Sequence, residues 1–462
     1  MIRLFRQHLP TPLFALGLIE IALLFGCAEA AWTLRAAQIG MAQTPIAERL
    51  GGLLTFTAIT WLSMLAVGVY HAASYRSSRV AVTRMAVAIL AAVILLAVAF
   101  FFFPDVALWR SISLYAVAFA FLGVLTARWM FLRLVGWKSF RRRVLVLGAG
   151  SRAAKLEVLA SSPEASFLVT RFVRMTDNPP EVLNWQARDA MPSAAAVVEA
   201  DGVSEVVVAI EERRGALPLD DLLQIRMTGV RVTDISSFVE QETGRVDLDS
   251  VRPSWLIFTD GYGAGSQLSI VGKRLFDVTA SLALLALAAI PMLITAILVK
   301  TTSPGTTFYR QQRVGRFGKP FDVIKFRSMR ADAEKEGKPI WAQKSDPRVT
   351  AVGKVIRLTR LDELPQLFCV LKGDMSFVGP RPERPFFVED LARQIPFYNE
   401  RHVVKPGITG WAQINYPYGA SVQDARAKLE YDLYYIKNYS LFLDLLILIQ
   451  TVRVVLWQDG SR

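Results

Sequence analysis

Four apolar runs crowd the first 140 residues, at roughly 11–34, 50–70, 85–103 and 111–132. Each holds about the 20 residues that carry a helix across the hydrocarbon core of a bilayer. A water-soluble fold has no interior for four such segments in a row. The whole chain leans the same way: 53% of its 462 residues are hydrophobic and its mean hydropathy is +0.33. The first run is too long, and carries Glu20 and Glu29 too deep, to read as a cleaved leader. Positive charge sorts by loop. Arg3 and Arg6 precede the first run, Arg76, Arg79 and Arg84 lie between the second and third, and Arg133, Lys138, Arg141, Arg142 and Arg143 follow the fourth. The loops at 35–49 and 104–110 are poorer in charge. The positive-inside rule then predicts a four-helix transmembrane bundle over 1–140 with both ends in the cytoplasm. Glu20 and Glu29 are expected to face the bundle interior or the interface.

The formal charge of +13 suits anionic lipid or phosphorylated substrates. No nucleic-acid-binding module is evident, so nucleic acid is not an expected partner. Cys27 and Cys369 are far apart, which implies neither a disulfide framework nor a thiolate metal site. His8, His71 and His402 are scattered, which argues against a histidine metal cluster or a Ser–His–Asp triad.

After the basic linker comes RRVLVLGAGSRAAKLEVLA, which reads as a strand, a glycine turn and an amphipathic helix. Gly148, Gly150 and Ala153 give G-x-G-x-x-A, the spacing of a Rossmann-like nucleotide loop. Strand-like runs at 167–173 and 205–210 extend this into a parallel sheet, and an α/β domain is expected over 141–265. The fingerprint alone is weak: no persuasive ribose-binding acid ends the second strand, and Asp177 is only a candidate. Membrane-anchored nucleotide-sugar dehydratases share this layout, but their hydride chemistry needs Tyr-x-x-x-Lys. No tyrosine here is followed by lysine four positions later.

A fifth apolar stretch, 273–300, is long enough to cross a membrane. Lys273 and Arg274 flank one side, and Lys300, Arg310, Arg313 and Arg316 the other. Crossing would strand the second basic group outside. Pro291 lies inside the stretch, where it removes a helix hydrogen bond. A re-entrant helix over about 274–300, broken at Pro291, meets both conditions.

The remaining residues carry the chemistry. Residues 311–330 read as a basic hairpin running from Arg313 and Gly315 to Lys325 and Arg327. Then comes RLTRLDELPQL, with adjacent carboxylates Asp362 and Glu363 between Arg357, Arg360 and Pro365. Pro365 predicts a helix start, which would place Asp362 where free N–H groups favour anions. Carboxylates for a nucleophile and a hard metal, with cations for phosphate oxygens, are what phosphoryl transfer requires. Taken alone, the dyad fits an N-capped surface helix with ion pairs. Its company argues otherwise. Pro380 and Pro382 bracket Arg381, fixing the backbone behind a guanidinium suited to phosphate. A Gly/Pro loop then carries Trp411, placed to flank a base or the membrane interface.

From 271 onward these motifs, KRLFDV, QxRxG, KFRSM, LDELPQL, VGPRP and PGITGWAQ in order, resemble the bacterial sugar transferases that act on polyprenyl phosphate, the monotopic phosphoglycosyl transferases. The full layout resembles their long-form exopolysaccharide-initiating members. RVLVLGAG and SWLIFTDG (254–261) look similar to the subgroup associated with exosortase-type export. The resemblance implies a monotopic, α-rich catalytic domain over 266–462. It implies Asp362 as the nucleophile taking sugar-1-phosphate from a UDP-sugar with release of UMP. Glu363, with Asp362, would hold Mg²⁺. Arg357, Arg381, Lys325, Arg327, Arg313 and the Pro380 and Pro382 pair would serve the phosphates and nucleotide, and Asp432 in KLEYDLYYIKN matches a recurrent acid. Undecaprenyl phosphate would then collect the sugar phosphate. One departure stands out: Ile290 precedes Pro291 where the family often has serine. A final run, 440–457, carries Asp444 and Arg453 and is expected to lie on the membrane face rather than cross.

The expected protein is thus a multi-pass enzyme of the bacterial plasma membrane, its two later domains cytoplasmic and its first partners UDP-sugar, undecaprenyl phosphate and membrane lipid. A homodimer through the Rossmann-like domain is expected. The competing readings are a membrane-bound NAD-dependent nucleotide-sugar dehydratase and a non-catalytic scaffold of polysaccharide assembly.

Overall fold

Helices fill the apolar runs. In the computed structural model they span Thr11–Ile39, Ile46–Val67, Ser78–Phe102 and Arg110–Val135. The structure describes residues 2–4, 7–9, 11–41, 45–70, 78–135, 141–162, 165–188, 194–212, 217–249, 267–330, 348–417, 419 and 421–457. They form two compact units, Met1–Thr243 and Gly244–Arg462.

In the first unit the four helices pack on one another. Small side chains such as Ala28, Ala31, Ala88, Ala92, Ala116 and Ala120 are buried between them and let the backbones approach closely. Leu18, Leu90, Leu114 and Leu122 point outward, each more than half exposed. The second helix stops at Gly68, whose left-handed backbone (φ 79°) caps it. The acidic residues inside these segments are explained by their partners. Glu20 is fully buried, accepts Arg128 Nε at 2.6 Å and Nη2 at 3.0 Å, and also accepts the Tyr70 hydroxyl. Glu29 pairs with Arg49. Buried charge is tolerable only when paired in this way, so both carboxylates are structural.

The same unit holds a five-stranded sheet, all parallel, in the spatial order Trp185–Ala187, Phe167–Arg174, Arg142–Leu147, Glu205–Val208, Arg231–Asp234. Taken in chain order this is 3-2-1-4-5, the arrangement of doubly wound nucleotide-binding sheets. The central strand shows why. Val144 and Val146 join one apolar cluster with Phe167 and Phe238, while Leu145 and Leu147 join a second with Val206 and Ile225. A strand buried on both faces reads as a continuous apolar run.

The second unit begins earlier than the expected boundary at 265. Val246 and Leu248 are buried in its core, and Val246 N–H donates to Glu430 O at 3.0 Å. Residues 254–261, which carry SWLIFTDG, lie outside the described residues. The fifth apolar stretch is one 36-residue helix, Gln267–Thr302. Pro291 sits inside the helix, and helical structure continues on both sides of it. Proline deletes one donor and crowds the carbonyl of residue i−4, which bends a helix without having to end it. Leu275, Leu287, Ile290 and Leu293 are each more than 60% exposed on it, an apolar surface suited to lipid. With this helix, five helices among the described residues are long and apolar enough to cross a membrane, and the chain is a membrane protein.

Both ends of the long helix are tied into the second unit. Lys273 Nζ meets Asp444 Oδ2 at 2.5 Å and Val378 O at 3.2 Å. Arg274 donates to Val370 O and Leu371 O, each at 2.6 Å, and Asp277 accepts Ser376 Oγ at 3.0 Å. At the far end Arg327 Nη2 donates to Ser303 O at 2.7 Å and to Val299 O at 3.3 Å. The last helix, Leu441–Trp457, packs Leu443 and Ile447 into the core. Its Asp444 is the partner of Lys273 and of Tyr435, whose hydroxyl lies 2.7 Å away.

Candidate active site

A basic hairpin, Phe308–Val314 paired antiparallel with Pro320–Phe326, forms one wall of the site. The opposite wall is the dyad turn. Helix Ala351–Leu358 ends, Arg360 adopts a left-handed conformation (φ 58°), and a 3₁₀ turn Leu361–Glu363 precedes the helix Gln366–Lys372. Positive φ is uncommon outside glycine and marks a backbone held by its surroundings. Pro365 sits at the N-cap of the short helix. Asp362 therefore lies ahead of that helix in its own turn, not at the helix mouth as the proline suggested.

The two carboxylates have different environments. Glu363 Oε1 accepts Lys325 Nζ at 3.0 Å and lies 3.6 Å from Arg381 Nη2 and 3.9 Å from Arg360 Nη1. Burial alone would push it up, but Lys325, Arg381 and Arg360 outweigh burial and hold it down at about 2. Asp362 is 8% exposed, and its Oδ1 is buried with no hydrogen-bond partner. Burial, then the neighbouring Glu363 charge, raises its pKa above the usual carboxylate range, while Lys325, Arg357 and Arg360 pull against that rise. One acid is thus permanently charged and clamped, and its neighbour is a bare, desolvated oxygen. A nucleophile needs that second condition.

Arg381 enters from a loop whose successive carbonyls are all engaged. Pro380 O accepts Gly407 N at 2.9 Å, Arg381 O accepts Arg401 Nη2 at 3.1 Å, Pro382 O accepts Arg313 Nη1 at 3.1 Å and Glu383 O accepts Val314 N at 2.9 Å. The Arg381 side chain points to Glu363 and donates to Gln413 Oε1 at 3.2 Å. Beside the dyad a cleft of about 360 Å³ is lined by Pro291, Ile294, Leu298, Val355, Ile356 and Leu361. Its walls are apolar, and Leu361 adjoins Asp362 in the chain.

Lys325, Arg357, Asp362, Glu363 and Arg381 thus come together as the sequence predicts, with Pro380 and Pro382 framing the last. Other predicted residues do not join them. Arg327 caps the C-terminal end of the long helix, and Arg313 braces the Pro382 carbonyl. Asp432 is 1% exposed and pairs with Arg401 at 2.8 Å. Trp411 is a core residue, stacked on Tyr434 with its Nε1 donating to Gly244 O at 2.7 Å. Gln413 and Arg401 were not singled out from sequence, although Gln413 closes the PGITGWAQ motif.

The glycine loop of the first unit has its own occupant. A Cβ on Gly148 (φ 134°) would come within 2.6 Å of Ala209 O, and one on Gly150 within 2.8 Å of Glu211 Oε1. Ala153 is buried against the sheet. Glu211 accepts Ser151 Oγ at 2.5 Å. That bond leads the contacts, with the N–H groups of Ser151 and Arg152, that hold its pKa below the usual range. The chain's own carboxylate sits at the helix mouth where the fingerprint anticipates a phosphate.

The second unit has known relatives. A family model described as bacterial sugar transferase matches residues 268–458. The chain is 45% identical over 241 residues, 52% of its length and 56% of the relative's, to the UDP-N-acetylgalactosamine-undecaprenyl-phosphate N-acetylgalactosaminephosphotransferase of Aeromonas hydrophila. It is 48% identical over 187 residues, 40% of each chain, to the UDP-glucose:undecaprenyl-phosphate glucose-1-phosphate transferase of Klebsiella pneumoniae. It is 54% identical over 129 residues, 28% of its length but 72% of the relative's, to a putative undecaprenyl-phosphate N-acetylgalactosaminyl 1-phosphate transferase of Bacillus subtilis. The match thus spans only about half the length of the first of these relatives.

Proposed function

Since the chain belongs to the bacterial sugar transferase family, we propose that it moves a hexose-1-phosphate from a UDP-sugar to undecaprenyl phosphate, starting an exopolysaccharide. The bare Asp362 oxygen beside a clamped Glu363 carries this reading. In the first half-reaction a carboxylate oxygen of Asp362 attacks the sugar-bearing phosphorus, its bond to the bridging oxygen breaks, and UMP leaves with that oxygen. In the second, a phosphate oxygen of the lipid attacks the same phosphorus and the aspartyl bond breaks. The products are the diphosphate-linked sugar and a free Asp362. One carboxylate divides a difficult transfer into two easier displacements. Lys325, Arg360 and Arg381 keep Glu363 ionised and supply positive charge for the phosphate oxygens.

The residues present suit Mg²⁺. Among the described residues there is no cluster of three or more acidic, histidine or cysteine side chains to cage a metal. Mg²⁺ usually takes one or two carboxylates together with substrate phosphates, and the partnerless Asp362 Oδ1 is such a ligand. Asp362 and Glu363 would hold it, and when bound it would offset charge on the diphosphate.

Lipid access follows from the cleft beside Leu361. We place the catalytic unit on the cytoplasmic face, with the long helix entering and leaving by that face. In support, its two ends are anchored to one unit through Lys273, Arg274 and Asp277 and through Arg327. The first four helices would span the membrane, and a Rossmann-like domain would pair two copies. The sugar is open, because relatives are named for glucose and for N-acetylgalactosamine. The test is UMP release by purified protein across a UDP-sugar panel with Mg²⁺. Lipid-dependent UMP from one donor supports the reading, and no UMP from any donor removes it.

A further inference from the structure

Asp432 and Arg401 form a buried ion pair in the second unit. Arg401 is 6% exposed, on the 3₁₀ stretch Tyr398–Val403, and Asp432 is 1% exposed, on the helix Val422–Lys437. Burying a charge pair carries a desolvation penalty that their attraction must return, so an apolar pair would serve packing as well. The contacts show what the charges add. Arg401 Nη2 lies 2.8 Å from Asp432 Oδ2 and donates to Arg381 O at 3.1 Å, while Nη1 donates to the Tyr398 hydroxyl at 2.7 Å. A guanidinium fixed on two sides thus grips the carbonyl of the residue whose side chain reaches Glu363. Proline on either side of Arg381 leaves that carbonyl as the point where its peptide orientation is set.

We propose that Asp432 and Arg401 are positioning residues for donor binding: Asp432 orients Arg401, Arg401 holds the Arg381 backbone, and neither touches substrate. This rests on the transferase reading. The same geometry separates Asp432 from the substrate-binding role expected from sequence.

The test compares wild type with Asp432→Asn, Arg381→Ala and their double variant, and with Tyr398→Phe, which removes one Arg401 contact while keeping the ring. Donor KM, lipid KM and kcat are measured, together with UMP affinity by calorimetry and melting temperature. Misplacing a binding group by about 1 Å costs up to about a hundredfold. Asp432→Asn should therefore raise donor KM and weaken UMP roughly tenfold, with lipid KM unchanged. Tyr398→Phe should do the same more weakly. The double variant should be no worse than Arg381→Ala, since groups acting through one another are non-additive. Additive losses in the double variant, or a lower melting temperature with donor KM unchanged, would overturn the inference while leaving the reaction intact. If Asp432→Asn does not fold, the outcome for Tyr398→Phe decides: unchanged donor KM and UMP affinity overturn the proposal. Wild-type protein that neither turns over nor binds UMP would overturn the reaction and this inference together.

Discussion

The glycine loop at Gly148 and the turn at Asp362 both read in sequence as places for a phosphate, and the structure treats them oppositely. At the first, a handful of neutral donors meets one carboxylate from the same chain, Glu211, which satisfies Ser151 and the helix mouth. Its charge is closed. At the second, two carboxylates stand among four cations, Lys325, Arg357, Arg360 and Arg381, and Asp362 Oδ1 has no hydrogen-bond partner. Its charge is open, with a surplus of cations for an incoming diphosphate. A motif supplies the backbone geometry of an anion site, but the local charge balance decides whether an anion is still wanted.

The comparison breaks most sharply at Asp362. Replacing it with asparagine keeps the shape and removes the proposed nucleophile, so UMP release should fall by about 10⁴-fold or more. Appreciable turnover in that variant would end the covalent mechanism. Next is Lys325→Met. It strands Glu363 as a buried charge facing weaker partners, and breaking such a pair costs about 3–5 kcal/mol. Both a lower melting temperature and a turnover loss of roughly a hundredfold are expected, and a variant that melts and turns over like wild type would show that Lys325 does not set the dyad. Arg381→Ala should mainly raise donor KM, by about tenfold. A fall in kcat at constant KM would reassign that side chain to the transition state.

The pH profile tests the same asymmetry. A nucleophilic carboxylate must be ionised, so turnover should rise with pH through the Asp362 pKa. Because burial and Glu363 raise that value, the acid limb belongs above the ordinary aspartate range. Arg357→Ala removes a cation that lowers it, so the limb should move further up. An unmoved limb would place Arg357 too far from Asp362 to matter.

These contrasts also mark what the sequence disclosed. Lys325, Asp362, Glu363 and Arg381 were legible because each sits in a motif whose residue types answer to phosphate chemistry. The apolar helices were legible by length and hydropathy. Asp432, Arg327 and Trp411 show what was not legible: the type suggests a ligand role, but the partner that the structure gives each lies far along the chain. Asp432 is balanced by Arg401, Arg327 by the carbonyl end of a helix that starts at Gln267, and Trp411 by Gly244. Glu20 and Arg128 sit on different membrane-type helices, and only packing brings them together. Periodicity reports which face of a helix is apolar but not which distant charge it meets.

The smallest expected effect falls on the closed site and tests the comparison from its other side. Glu211→Gln keeps the hydrogen bond to Ser151 and removes the charge at the mouth of the Ser151–Ser161 helix. A carboxylate there contributes about 0.3–1 kcal/mol, so the middle domain should soften slightly while UMP release is unchanged. The sign with pH is fixed by the depressed Glu211 pKa. Its stabilisation is full above the unfolded value and fades as pH falls through the folded one, so the wild-type advantage in melting temperature should be present at neutral pH and vanish in acid. Vacating the charge also returns the loop to the condition of the dyad turn, a donor set without its anion. Inorganic phosphate should then raise the melting temperature of Glu211→Gln more than that of wild type, by the mass action of a ligand that binds only the folded form. Equal response of both proteins would mean that Glu211 is a bystander at the loop, and that its charge does not fill the anion site there.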